Sequence, residues 1–186
     1  MFLESTYQPK QSQTISELSI MDIAILAAQI GDKPFLRKGS LEHLTVGQIQ
    51  LVCYYAQGIH MTKTGRSFFK EDFYIVDGRI ESPLVADVLG NYDKIITPFN
   101  MDKSLEKYLT NRDKGFTPDN NKLAQEIIYQ YAPSNYKEVM KTLRETVPYK
   151  NALMDERNKV SKKDIKEFFE NLLIRKTEIS NPIIGE

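Results

Sequence analysis

The sequence predicts a mostly α-helical fold, in which a single compact helical domain packs around one central apolar helix and carries one small β-hairpin. Apolar residues recur every three or four positions in several segments, which is the period of an amphipathic helix. The segment that follows Thr45 is apolar on nearly every side, as expected for a helix with neighbours around it. The dipeptide Asp77-Gly78 follows a short aromatic and β-branched run, which predicts the hairpin.

The chain divides into three predicted regions. Residues 1–18 are polar and predict an N-terminal arm, residues 19–175 predict the helical domain, and residues 176–186 predict a loose tail. A chain of 186 residues can bury a core without disulfides or metals. The formal net charge is zero, from 25 basic and 25 acidic residues, which argues against a strong overall attraction to nucleic acid or anionic membranes.

The first two helices have recognisable starts. Ser19 and Asp22 have the spacing of a capping box at the start of the first helix. Thr45 and Gln48 form the same box at the start of the central helix, where each side chain satisfies a backbone amide that the helix leaves unpaired. Gly65 is expected to end this central helix.

Shorter elements are expected next. Phe73–Val76 predicts a strand, and Asp77-Gly78 is a typical two-residue hairpin turn. Pro83 stands where a short helix can begin, and another short helix is expected near Leu105–Leu109.

Three further helices complete the predicted domain. Thr117 is a suitable N-cap with Pro118 at the first helical position, and Pro133 and Pro148 bound the helix after it. The last helix begins at Ser161 and has apolar residues at ideal helical spacing. Its stripe consists of Ile165, Phe168, Phe169, Leu172 and Leu173.

The residue types that support catalysis are scarce. Cys53 is the only cysteine, so no internal disulfide can form, and with no signal peptide or apolar membrane span the expected compartment is the cytoplasm. His43 and His60 are the only histidines, and no zinc-ligand spacing surrounds them. Cys53 and His60 are seven residues apart, about 10.5 Å along a helix, which is too far for proton transfer. We therefore predict no catalytic residue, no metal site and no cofactor.

Two sequence blocks carry a family resemblance. Residues 44–60 contain Tyr-Tyr-Ala-Gln-Gly followed two positions later by His60, and residues 64–69 read Thr-Gly-Arg-Ser-Phe-Phe. Both blocks resemble the Panacea (SocA-like) antitoxin family, and the similarity extends over about residues 19–174. The motif residues are Leu51, Tyr54, Tyr55, Ala56, Gln57, Gly58, His60 and Gly65. The stretch Ile75–Ser82 departs from the family pattern, because it lacks the family's Trp and Gly-Pro.

The resemblance implies a function. Panacea proteins are mostly bacterial or phage-encoded antitoxins that neutralise toxins by direct binding, and some hand the toxin to a protease. By this resemblance the chain is a non-catalytic module that binds one protein partner, a co-encoded toxin or a host factor. The expected contact segment is rich in aromatic residues and arginine, which dominate binding hot spots. Its residues are Arg66, Phe68, Phe69, Phe73, Tyr74 and Arg79.

Several alternatives stay open at this point. The aromatic residues of the contact segment could equally well seal the hairpin onto the helices. The chain could be a phage-encoded or mobile-element-encoded regulator that binds a host protein or DNA, although the basic residues of the last helix are balanced by acidic ones. An enzyme would need convergent titratable groups, and the sequence offers no such constellation.

Overall fold

The computed structural model describes residues 18–31, 43–97, 105, 117–131 and 135–180, and the side chains of the last helix through Ile174. These residues form seven helices and a small antiparallel sheet, so the predicted mostly α-helical fold is confirmed. The helices are α1 (Ile20–Gly31), α2 (Val46–Thr64), α3 (Pro83–Leu89), α4 (Pro118–Tyr131), α5 (Tyr136–Leu143), α6 (Val147–Met154) and α7 (Lys162–Ser180). The strands are β1 (Phe73–Val76), β2 (Arg79–Glu81) and β3 (Lys159–Val160).

Helix α2 is the centre of the fold, as predicted. It is buried along most of its length, and α1, α3, α4, α5 and α7 all contact it. Thr45 and Gln48 form both halves of the predicted capping box, and the backbone N–H of Gly65 closes the far end by donating to the Met61 carbonyl. The hydrophobic effect therefore organises the domain around one helix that has almost no solvent-facing side.

Helix α1 is anchored at its start by a side chain from outside the helix. The Ser19 N–H donates to the Asp22 carboxylate at 2.8 Å, which is one half of the predicted capping box. Glu71 supplies a second acceptor, since the Ile20 N–H donates to its Oε2 at 3.1 Å. The positive end of the helix dipole also stabilises a carboxylate at this position.

The sheet has the strand order β2-β1-β3, with both pairings antiparallel. Val76 pairs with Arg79 across the two-residue turn, in which Asp77 and Gly78 have φ values of 48° and 74°. Positive φ at both positions is the geometry of a type I′ turn, which favours Asp-Gly. The predicted hairpin is confirmed, and the two-residue strand β3 is an addition to it because two residues are too short to show a period.

Some predicted boundaries differ from those of the structure. Leu18, the last residue of the predicted N-terminal arm, is buried and forms a parallel bridge with Phe69. Helix α7 runs to Ser180, beyond the predicted start of the tail at residue 176. The helix expected near Leu105–Leu109 lies outside the described residues, except for Leu105 itself. None of the described helices has the length and apolar character that a bilayer crossing requires.

Candidate protein-interaction surface

The family-motif residues of α2 form the interior of the domain. Tyr54 is completely buried and packs edge-on against Phe73, with ring centroids 5.4 Å apart. The Phe169 ring of α7 lies against Gly58, where an added Cβ would come within 2.0 Å of a ring carbon. Only glycine at this position allows the two helices to approach so closely. Leu51 and Ala56 are also buried, so this part of the motif specifies packing.

Two buried glutamines of α2 hold the hairpin in place. Gln57 accepts hydrogen bonds from the backbone N–H groups of Phe68 and Phe69, at 2.9 and 3.3 Å, and donates to the Phe69 carbonyl. Two turns earlier, Gln50 accepts from the Ser82 N–H and donates to the Ser82 carbonyl. The two amides therefore clamp the chain on both sides of the hairpin, and the sequence alone gave no signal that Gln50 plays this part.

His60 is fixed at the end of α2. Its Nδ1 lies 2.9 Å from the Arg66 carbonyl, and because a carbonyl only accepts, Nδ1 must carry the proton. The ring stacks on Phe68, with centroids 4.3 Å apart and planes 9° from parallel. Burial lowers the pKa of His60, while the bond to the Arg66 carbonyl opposes that shift. His60 is therefore a neutral imidazole with a defined tautomer.

Cys53 and the two tyrosines of the motif are largely interior. Burial raises the pKa of the Cys53 thiol far above its usual range, so the thiol stays protonated, as expected of a side chain that fills the core. Tyr55 is half-buried and stacks on Tyr131 of α4, with ring centroids 4.2 Å apart. Burial raises the pKa of Tyr55 to about 12, so its hydroxyl group is neutral at physiological pH.

The predicted contact segment is split by the fold. Phe68, Phe69 and Phe73 are at most 3% exposed, so the prediction that these three rings face a partner is wrong. They seal the hairpin onto the helices instead, because the Gln57 clamp draws their backbone against α2. Burying three large aromatic rings stabilises the fold, because it removes their apolar surface from water.

The other three predicted contact residues are accessible. Arg66 is exposed beyond the end of α2, and Tyr74 lies half-buried on the outer face of the sheet. Arg79 is paired with Val76 across the hairpin and is therefore on that same outer face. Its guanidinium group lies 4.7 Å from the centroid of the Tyr92 ring, a cation–π contact that fixes its position.

Adjacent carboxylates at Glu71 and Asp72 have separate structural roles. Glu71 caps α1, while Asp72 forms ion pairs with Lys159 at 2.7 Å and Lys162 at 3.6 Å. Asp72 thus links β1 to the start of α7. Since each carboxylate is committed to its own contacts, the pair is part of the scaffold.

Three exposed apolar side chains of the described residues lie on the short helix α6. Met154 is 77% exposed, Val147 is 63% exposed and Leu153 is 55% exposed, and all three belong to one eight-residue helix. We call these three residues the α6 face. Helix α6 contacts β1 and β3, so the α6 face belongs to a helix that packs against the sheet. Exposed apolar surface is a candidate for contact with another protein where it forms a continuous patch.

The sequence does not predict the α6 face, because Pro148 indicates only the end of the preceding helix. In the structure Pro148 occupies the first turn of α6, where its missing N–H costs nothing. Pro148, Tyr149 and Ala152 face the interior, and the residues between them face solvent. A helix of only eight residues offers two turns, which is too short for its period to stand out in the sequence.

The basic residues of α7 are engaged in local contacts as far as its side chains are described. Lys162 donates to the Lys70 carbonyl at 2.7 Å in addition to its ion pair with Asp72. Lys163 and Lys166 pair with Glu167 and Glu170 one turn further along. Such pairing is typical of a solvated helix face.

Comparison of the chain with known protein families, with curated proteins and with solved structures returns no match. Within the part of the chain that the structure describes, no three side chains of His, Cys, Asp or Glu converge as a metal site. The functional interpretation therefore depends on the chain's own surface and motifs.

Proposed function

We propose that this chain is a non-catalytic protein-binding module that neutralises one protein partner by direct contact, in the manner of the Panacea antitoxins that its motifs resemble. The observation that carries the proposal is the α6 face, since three large aliphatic side chains of one short helix are left in water. Exposing them costs roughly 1.5–3 kcal/mol for each side chain that a bound partner would bury completely.

The surroundings of the α6 face suit a protein interface. Apolar anchors in an interface are usually bordered by polar and charged groups. Lys150 and Glu145 form an exposed ion pair beside this face, at 3.1 Å. Arg79 and Tyr74 on the outer face of the sheet add the residue types that are enriched in hot spots.

The partner in this proposal is a toxin encoded beside the chain's own gene. The test is co-expression of the chain with the product of each adjacent gene in a host that the product alone prevents from growing. We expect growth to be restored by the wild-type chain and a stoichiometric complex to be recovered from the same cells. If no adjacent product is toxic and the tagged chain recovers no stoichiometric partner from its native host, the proposal is refuted.

A further inference from the structure

The methionines of the described residues differ sharply in their access to solvent. Met21, Met61 and Met140 are at most 4% exposed, whereas Met154 of the α6 face is 77% exposed. A dissolved oxidant has to reach the sulfur atom of a methionine in order to react with it. Exposure therefore distinguishes Met154 from the other three as a site of oxidation.

The three buried methionines are protected by the core itself. Met21 belongs to α1, Met61 to α2 and Met140 to α5, and all three are part of the hydrophobic core. The Ser67 hydroxyl group also donates to the Met61 sulfur atom, at 3.9 Å. An oxidant gains access to these sulfur atoms only when the surrounding helices open. Their oxidation rates therefore provide a reference inside the same molecule.

Oxidation of Met154 changes the chemistry of the α6 face. Its neighbours there, Val147 and Leu153, are aliphatic, and the thioether of Met154 is apolar as well. The sulfoxide is polar and accepts hydrogen bonds, so it replaces an apolar contact by a group that prefers water. Burying such a group without a donor opposes binding.

We propose that Met154 is a site of reversible oxidation by peroxides, and that its sulfoxide form releases the protein partner from the α6 face. The peroxide transfers one oxygen atom to the sulfur, so that an S–O bond forms and the O–O bond breaks. The sulfur loses two electrons, and the peroxide gains them and leaves as water or an alcohol. A thiol-dependent sulfoxide reductase reverses the step, removing the oxygen as water while two thiols become a disulfide. The release of a partner rests on the proposed function.

The first measurement is the oxidation rate of each methionine. The folded full-length chain is treated with dilute hydrogen peroxide and digested at successive times, and the sulfoxide at each position is quantified by mass spectrometry. We expect Met154 to be oxidised at least about tenfold faster than Met21, Met61 and Met140, and all four rates to converge in urea. Equal rates in the folded chain would overturn the assignment of the site.

The second measurement compares partner capture before and after oxidation. The tagged wild-type chain and a Met154→Leu variant, which keeps an apolar side chain but has no sulfur there, are treated with peroxide and incubated with lysate of the native host. We expect oxidation to reduce capture of the stoichiometric partner at least about tenfold for the wild type and to leave the variant unchanged. Sulfoxide reductase should restore the wild type.

Controls separate this effect from damage elsewhere. Met1 and Met101 remain in the Met154→Leu variant, so any effect of their oxidation occurs in both proteins. An unchanged melting temperature after treatment shows that the fold is intact. Equal capture by the oxidised and untreated wild type, or an equal loss in the variant, would overturn the proposed release.

The two proposals fail in different ways. If the chain captures no partner, the proposed function is refuted and the release falls with it, while the oxidation rates still decide whether Met154 is a modification site. A partner whose capture is weakened by Met154→Asp but not by oxidation would refute the release alone.

Discussion

At the scale of single residues, Gly58 allows α2 and α7 to approach closely. Replacing Gly58 by alanine places a methyl group about where the Phe169 ring now lies, since the ring carbons come within 2.0 Å of that position. We expect Gly58→Ala to lower the free energy of unfolding by about 1–3 kcal/mol, the usual cost of overpacking a core. Urea denaturation of the purified chain measures this change.

The control for this prediction is a double variant. Phe169→Leu makes room beside residue 58, so Gly58→Ala should cost less in the Phe169→Leu background than in the wild type. Equal costs in the two backgrounds would show that the Phe169 ring does not set the spacing.

A second prediction at the scale of single residues concerns Gln57. Replacing it by leucine leaves the Phe68 and Phe69 N–H groups and the Phe69 carbonyl without their partner inside the core. An unsatisfied buried polar group costs roughly 1–3 kcal/mol, so the variant should lose about 3 kcal/mol or more of stability. Thermal and urea unfolding both report this loss.

Gln125→Leu is the matched control, since among the described residues the Gln125 side chain bonds only to Asn121, one turn earlier on α4. It should change the stability by no more than about 0.5 kcal/mol. If Gln57→Leu changed the stability no more than Gln125→Leu does, the hydrogen bonds of Gln57 to the hairpin would contribute nothing to the stability of the fold.

At the scale of elements, the end of α2 should respond to pH through His60. Burial lowers the pKa of His60 in the folded state below the value of about 6.5 that it has when unfolded. The unfolded chain therefore binds this proton more readily, so the stabilising contribution is complete above pH 6.5 and is lost as the pH falls through the folded pKa.

We expect the free energy of unfolding of the wild-type chain to decrease below pH 6.5 more steeply than that of a His60→Gln variant. Urea titrations at several pH values between 5 and 7.5 measure both slopes. A His43→Gln variant serves as the control for removing a histidine elsewhere. Identical slopes for wild type and His60→Gln would contradict the assigned environment of this ring.

The elements also show what the sequence could and could not predict. Helix α2 and the Asp77-Gly78 hairpin were predictable, because capping residues and turn residues act locally. Helix α6 and strand β3 were not, because each is short and its place is set by tertiary contacts. The burial of Phe68 likewise depends on Gln57, eleven positions earlier in the chain, and no local pattern reports that contact.

At the scale of the whole molecule, the sequence motif and the proposed binding surface lie in different places. The residues that resemble the Panacea family mostly build the interior around α2, whereas the α6 face belongs to a helix that packs against the sheet. A shared interior with a variable exterior would let one scaffold bind different partners. Exposure in the folded structure therefore identifies the candidate surface, whereas most of the motif residues are buried.

The central claim is that the α6 face binds a protein partner, and capture by charged variants tests it most directly. The tagged full-length chain, its Met154→Asp variant and its Ile174→Asp variant are each used to capture the partner from the native host, with the amounts quantified by mass spectrometry. Ile174 is the matched control, since it is 56% exposed but lies on α7.

All three proteins should have the same melting temperature, because both substitutions are at exposed positions. We expect Met154→Asp to weaken capture of the stoichiometric partner at least about tenfold, as the loss of an interface anchor does, while Ile174→Asp captures it as the wild type does. Undiminished capture of the same partner by Met154→Asp would contradict the claim.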